Sequence, residues 1–305
     1  MMNLMKLNTK QIICIVGPTA IGKTNISIEL AKILKTDIIS CDSRQFYKEL
    51  KIGAAPPSKK ELSEVKHHFI HNLSIIDDYN AGRFEIDAIN LIKKIHKTNN
   101  KIIVVGGSGL YIDAICKGFD TMPEISKKTR NQVNIEYKSK GLTWAQEQVK
   151  CIDPDLYSNY ETSNPQRLLR VIEVFKETGK KLSSFKSNKI KSRPFEIIKI
   201  GLNTERNTLY NNINKRVDVM MEKGLLKEVC SLVKFQQRNA LQTVGYKEIF
   251  SYLNNECSLE KAVENIKTNT RRFAKRQLTW FRKDKDIKWF EPNQIVEIKK
   301  LISEL

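Results

Sequence analysis

The stretch Gly17-Pro18-Thr19-Ala20-Ile21-Gly22-Lys23-Thr24 constrains this chain more than any other, because it fits the phosphate-loop pattern Gly-x-x-x-x-Gly-Lys-Thr and has the right neighbours. Ahead of it, residues 12–16 form an unbroken apolar run rich in β-branched side chains, the mark of a buried strand. Behind it, Ile26, Leu30, Ile33 and Leu34 recur at helical spacing. A strand, a glycine turn and a helix in that order let backbone N–H groups converge on phosphate oxygens at the helix N-terminus. Lys23 adds a point charge there, and the Thr24 hydroxyl can hold Mg²⁺. Gly17, Pro18, Thr19, Ala20, Ile21, Gly22, Lys23 and Thr24 are therefore all expected to bind a diphosphate or triphosphate.

Such a loop implies phosphate binding without implying hydrolysis. Many ATPases and GTPases carry an apolar strand ending in an aspartate that helps hold the metal. The third strand predicted here, residues 102–105, ends instead in Gly106-Gly107-Ser108-Gly109. The second short run, residues 37–41, does end in a carboxylate, Asp42, which can serve either as a metal ligand or as a proton acceptor.

Helical periodicity at Phe84, Ala88, Leu91, Ile92 and Ile95, between the second and third strands, implies a parallel sheet covered on both faces. Ligands bind beyond the carboxyl ends of such strands, where Gly17, Asp42 and Gly106 all fall. After Tyr111 the pattern turns to polar helices: residues 126–140, a segment opened by a Thr143-x-x-Gln146 capping box, and a helix that Asn164-Pro165 starts and Gly179 stops. A strand returns at residues 195–202, and the remainder reads as helical. One stripe there runs through Leu209, Ile213, Val217 and Met220, another through Val263, Ile266, Thr270, Phe273, Gln277 and Phe281. Phe273 and Phe281 are read as core residues among the cations of that last helix. The expected organisation is an α/β protein with a P-loop NTPase-like parallel sheet: residues 1–118 are the first part of the core, 119–190 an inserted all-helical lobe, and 191–305 the completing strand and a helical C-terminal region.

Six widely spaced cysteines contain no Cys-x-x-Cys pair, so neither a zinc ribbon nor a dithiol motif is written here. His67 and His71 stand one helical turn apart if helical, but without a third ligand a packing or hydrogen-bonding role is preferred to a metal. No apolar stretch approaches the roughly 20 residues of a membrane span, so a cytoplasmic protein without a membrane partner is expected. A formal net charge of +19 suits a polyanionic partner, although many of these lysines can simply solvate helix faces.

Beyond the loop, motifs fall in order along the chain: Asp42-Ser43-Arg44-Gln45-Phe46-Tyr47, His67-His68, Ala81-Gly82-Arg83-Phe84, Val105-Gly106-Gly107-Ser108-Gly109-Leu110-Tyr111, Pro165-Gln166-Arg167, Gln242-Thr243-Val244-Gly245-Tyr246-Lys247-Glu248 and Ala274-Lys275-Arg276-Gln277-x-Thr279-Trp280-Phe281-Arg282. Together with the loop they resemble the bacterial tRNA dimethylallyltransferases. The resemblance implies transfer of a dimethylallyl group from dimethylallyl diphosphate to N6 of the adenosine just 3′ of the anticodon, assisted by Mg²⁺, with the lobe gripping the anticodon stem-loop. A monomer is expected. The other reading of the residues is a P-loop kinase or adenylate prenyltransferase acting on a free nucleotide.

The resemblance also distributes roles. Asp42 would accept the N6 proton, Ser108 would hydrogen-bond in the same channel where the family usually has Thr, and Arg216 would be a second cation on the departing diphosphate. The candidate tRNA contacts are Asp42, Ser43, Arg44, Gln45, Ser108, Gln166, Arg167, Leu168, Leu169, Arg170, Gln242, Thr243, Val244, Gly245, Tyr246 and Lys247, with Arg130 added from its place on the first inserted helix, although Leu168 and Leu169 read as packing residues. Gly53-Ala54-Ala55-Pro56-Pro57 stands where a Gly-Thr-Ala-Lys-Pro type stretch is usual in the family, so a lysine that the family often has nearby is missing or displaced.

Overall fold

In a computed structural model of the chain, residues 9–187 and 189–304 are described; residues 1–8, 188 and 305 lie outside the description. The strands are β1 (Gln11–Val16), β2 (Ile38–Ser40), β3 (His67–His68), β4 (Lys101–Gly106), β5 (Glu196–Leu202) and β6 (Lys288–Phe290). The helices are α1 (Lys23–Leu34), α2 (Lys59–Glu64), α3 (Ala81–Ile95), α4 (Gly109–Cys116), α5 (Lys127–Ile152), α6 (Pro154–Ser158), α7 (Pro165–Thr178), α8 (Arg206–Glu222), α9 (Leu225–Ser231), α10 (Tyr246–Leu253), α11 (Leu259–Phe281) and α12 (Ile295–Ser303).

The six strands form one parallel sheet in the order β3-β2-β4-β1-β5-β6. β1 lies at its centre, with Cys14 level with Val104 of β4 and Lys199 of β5. Every residue of β1 is buried, which is why it reads as a continuous apolar run and not as an alternating one. Ile13, Ile15, Ile103, Ile200 and Leu202 pack with Ile26, Ile28 and Leu30 of α1 and with Leu209 and Ile213 of α8. Because all six strands run the same way, the turns after β1, β2 and β4 open at one end of the sheet, which brings together Gly17, Gly22, Gly106, Gly107 and Asp42.

Two strands were not foreseen. β6, placed in a region expected to be helical, pairs with β5 over only three residues, too few to show a period. β3 turns the His67-His68 pair into an edge strand beside β2, so His67 and His71 are not one helical turn apart. The His68 imidazole lies 2.7 Å from the Asp37 carboxylate, and His67 Nδ1–H donates to the Val65 carbonyl at 2.8 Å. His67 thus takes the hydrogen-bonding role preferred from the sequence through Nδ1, while its Nε2 and that of His71 are buried with no hydrogen-bond partner among the described residues.

The chain divides into two compact units, Gly118–Lys191 and the remainder. The first is helical, with Val133, Ala145, Val149, Leu168, Leu169, Val171, Ile172 and Val174 closing its core. α7 begins at Pro165 and ends at Gly179, whose φ of 70° supplies the left-handed stop. α5 is two helices meeting at Gly141; Gln146 donates to the Thr162 carbonyl at 3.0 Å, so the expected capping box gives way to a tie across the unit. Asp153, fully buried, accepts from the Ser183 amide and hydroxyl at 2.9 and 3.0 Å. In the larger unit Arg193 donates to the Ala114 and Ile115 carbonyls at the end of α4 and pairs with Glu85 at 3.0 Å, both side chains only 9% exposed. Among the described residues no helix is long and apolar enough to cross a membrane.

Candidate active site

Between β1 and α1 the glycine loop takes the course its composition demands. Gly22, the N-cap of α1, has φ 94°, a left-handed conformation that glycine adopts without strain. Lys23 then folds back over the loop, its Nζ donating to the Gly17 and Pro18 carbonyls at 3.0 and 2.7 Å. The residue as a whole is half-buried, but its ammonium is turned inward. Burial pushes its pKa down to about 7, with the Asp42 carboxylate pulling upward and the Arg216 guanidinium adding to the fall.

Two helices from the C-terminal third brace the loop at Thr19. Arg216 on α8 donates to the Thr19 hydroxyl at 3.2 Å, and Gln277 on α11 accepts from the Thr19 amide at 2.9 Å. Arg216 is largely desolvated, which lowers its pKa, while Asp42 and Glu61 favour its charge. Loop, Asp42 and Arg216 all line one cleft of about 540 Å³. Its lining also includes Ile52 and, from the segment that departs from the family pattern, Ala54, Ala55, Pro56 and Pro57.

Asp42 sits just past the tip of β2 and is steadied from both sides. Its amide donates to Ser40 Oγ at 3.3 Å, and its carboxylate accepts from the Arg44 amide at 3.0 Å. Ser108, the N-cap of α4, meets Ser43 through Oγ at 3.4 Å, so the turn after β4 is tied to the turn after β2.

Several residues singled out from the sequence are occupied by the fold itself. The Arg44 guanidinium donates to the Asn239 carbonyl at 2.7 Å and reaches that of Gln242 at 3.5 Å. Gln45 accepts from Ser40 and donates to the Ala55 carbonyl, linking β2 to the cleft wall. Tyr246 is fully buried and donates to Glu228 at 2.7 Å, and Gly245 is buried beside it; neither presents a side chain to a partner. Thr243 and Val244 are half-buried, whereas Gln242 and Lys247 are exposed. Leu168 and Leu169 face the core of the helical unit, so their side chains pack and offer nothing to RNA. Phe281 is core, but Phe273 is 38% exposed and lines the cleft, contrary to its expected burial.

Within the helical unit the polar positions form a cluster of their own. Tyr160 carries Lys186 and Arg167 over its ring at 5.0 and 6.0 Å. Arg170 donates to the Pro123 carbonyl and lies 3.7 Å from Glu173, whose pKa burial raises although Arg130 and Arg170 oppose the shift. Arg130, Gln166 and Arg167 are exposed.

Two residues that the sequence reading did not single out hold the site together. Glu228 accepts from the amides of Lys51, Ile52 and Gly53 at 2.8–3.0 Å and from Tyr246, fixing the cleft wall. Gln277 bridges two loops. The sequence placed it on a helical stripe, polar there like Thr270, and within the Ala274 to Arg282 motif, but neither gave it a role.

For a divalent cation the cleft offers oxygen donors, the Thr24 hydroxyl and the Asp42 carboxylate. Among the described residues no group of three or more His, Cys, Asp or Glu could hold a metal ion. That donor set fits Mg²⁺ arriving with phosphate oxygens and its own waters, which needs only one or two protein ligands.

The family model described as IPP transferase matches residues 45–284. The tRNA dimethylallyltransferase of Flavobacterium johnsoniae is 50% identical over 288 residues, covering 92% of this chain and 93% of that one. Among solved structures, the full-length tRNA isopentenylpyrophosphate transferase of Bacillus halodurans superposes with a TM-score of 0.72 at 34% identity, covering 97% of this chain and 96% of that one. A eukaryotic dimethylallyltransferase acting on tRNA gives a TM-score of 0.76 at 27% identity, covering 93% of this chain and 74% of that one.

Proposed function

The chain belongs to the IPP transferase family, and on that premise we propose that it transfers a dimethylallyl group from dimethylallyl diphosphate to N6 of the adenosine just 3′ of the anticodon in tRNA. The observation that carries the assignment of roles is the meeting of Lys23, Arg216 and Asp42 in one cleft, two cations at a phosphate loop facing a carboxylate. An adenine amine is a weak nucleophile because its lone pair is shared with the ring. Transfer therefore needs help at both ends of the new bond.

At the donor end the loop amides, Lys23 and Arg216 neutralise charge growing on the diphosphate as the allylic C–O bond breaks, a preorganised electrostatic contribution. Thr24 would hold a Mg²⁺ carried in by the diphosphate, and that ion supplies further neutralisation of the leaving group. At the acceptor end N6 bonds to the allylic carbon, and Asp42 takes the proton that N6 sheds. The Ser43–Ser108 contact keeps the two turns flanking that position at a set spacing. The acceptor base has to leave its stack to enter the cleft, at a cost of a few kcal/mol.

Arg130, Gln166, Arg167, Gln242 and Lys247, all exposed, are the groups available to hold the tRNA. Both ends of the reaction are built from one chain, so a monomer suffices, and a tRNA substrate places the work in the cytoplasm. Incubation with dimethylallyl diphosphate, Mg²⁺ and unmodified tRNA, followed by mass analysis of the nucleosides, should show the added prenyl group, with AMP as the free-nucleotide control. Asp42→Asn should abolish transfer and leave diphosphate binding nearly intact. Weakened Mg²⁺-dependent diphosphate binding with turnover spared would make Asp42 a metal ligand instead.

A further inference from the structure

The diphosphate loop and the turn carrying Ser108 come from different strands, and a single side chain joins them. Gln277 Oε1 accepts from the Thr19 amide at 2.9 Å while its Nε2 donates to the Gly107 carbonyl at 2.9 Å. The orientation of the amide is dictated by its partners, since an N–H needs an acceptor and a carbonyl needs a donor. The side chain is buried, so neither bond has a ready substitute in water. Gly107 leaves room for it, because a Cβ at that position would stand 2.3 Å from Gln277 Nε2. One helical turn along, Trp280 donates to Asp113 on α4 at 3.0 Å, and its ring fills the space over Gly109. α11 is thereby seated on both turns at once.

We propose that Gln277 is a positioning residue that sets the distance between the donor half and the acceptor half of the site, holding the Thr19 turn and the Gly107-Ser108 turn in register before either substrate binds. This rests on the prenyl-transfer reading above. It also gives a reason for a glutamine on the apolar face of a helix, where leucine would pack as well. With the spacing held by protein bonds, the loop does not have to find its geometry when the diphosphate arrives.

Three variants test it: Gln277→Leu, Gln277→Glu and Gly107→Ala. The leucine variant leaves the Thr19 amide and the Gly107 carbonyl unpaired, so kcat/KM for the donor should fall about tenfold or more, while the Kd for the tRNA stem-loop stays within about twofold. Gly107→Ala should produce the same split by expelling the amide. The glutamate variant separates positioning from mere stability. As a carboxylate it can still accept from Thr19 but cannot donate to Gly107; once protonated it mimics the amide on both sides. Its donor kcat/KM relative to the parent should therefore rise as pH falls, whereas a purely structural role predicts a flat ratio.

Thermal melting of each variant accompanies the kinetics, and if the leucine form does not fold, the pH profile of the glutamate form decides. Unchanged donor kinetics in the leucine form, or a flat glutamate profile, overturns the proposal. Failure of the parent protein to transfer a prenyl group at all would instead overturn the functional reading on which it rests.

Discussion

Lys23 shows how far a single residue's setting can alter its chemistry. Its sequence position predicted a cation for phosphate, but the fold half-satisfies the ammonium with two loop carbonyls and removes it from water, bringing its pKa down to about 7. A diphosphate favours the charged amine, so the pKa must rise on binding. Above pH 7 donor binding should therefore take up a proton, approaching one per donor near about pH 8 to 9 and vanishing near about pH 6. Calorimetry in buffers of different ionisation enthalpy measures this directly. Donor affinity should weaken as pH rises past about 7, and Lys23→Met should remove both effects. Proton uptake near zero at the alkaline end would mean that the amine is already charged in the free protein. None of this was visible in the motif, because burial of the ammonium and the charges of Asp42 and Arg216 around it are set by the tertiary structure.

At the scale of elements, the cleft wall depends on a carboxylate far away in the chain. α9 is only seven residues long, yet its Glu228 gathers three successive backbone amides and the Tyr246 hydroxyl. The Tyr246 ring lies so close to Gly53 that a Cβ there would be 2.6 Å away. Replacing Glu228 by Ala strands these donors in a half-buried site and should cost about 3 kcal/mol of stability, read from the denaturation midpoint. The donor KM should rise as well, because residues 52–57 form part of the cleft. A neutral effect on both would show that water takes over the bonds. The Gln242 to Lys247 motif illustrates why this was illegible: resemblance marked the segment as a tRNA contact, but its most conspicuous residue, Tyr246, spends its side chain on the fold.

For the whole molecule, charge and architecture act on different scales. With a net charge of +19 and exposed arginines in both units, tRNA affinity should fall steeply with salt, each neutralised phosphate contributing about 0.7–0.9 to the log–log slope. Donor affinity, set in a partly buried cleft, should change far less over the same range. Filter binding across a salt series checks both, and a flat tRNA response would remove the cationic surface from the assignment. What the sequence determined by itself was local: a phosphate loop between a strand and a helix, a parallel α/β core, helices opened by Asn164-Pro165 and closed by Gly179, and a carboxylate at a strand tip. Those features rest on contacts within a few residues, or on burial periods that a single segment displays. Only the tertiary structure decided the edge strands β3 and β6, too short to carry a period, the exposure of Phe273, the bracing of the phosphate loop by Arg216 and Gln277, and that of the cleft wall by Glu228. Those depend on side chains meeting across as many as 258 residues, and no local pattern records which distant partner a polar group will find.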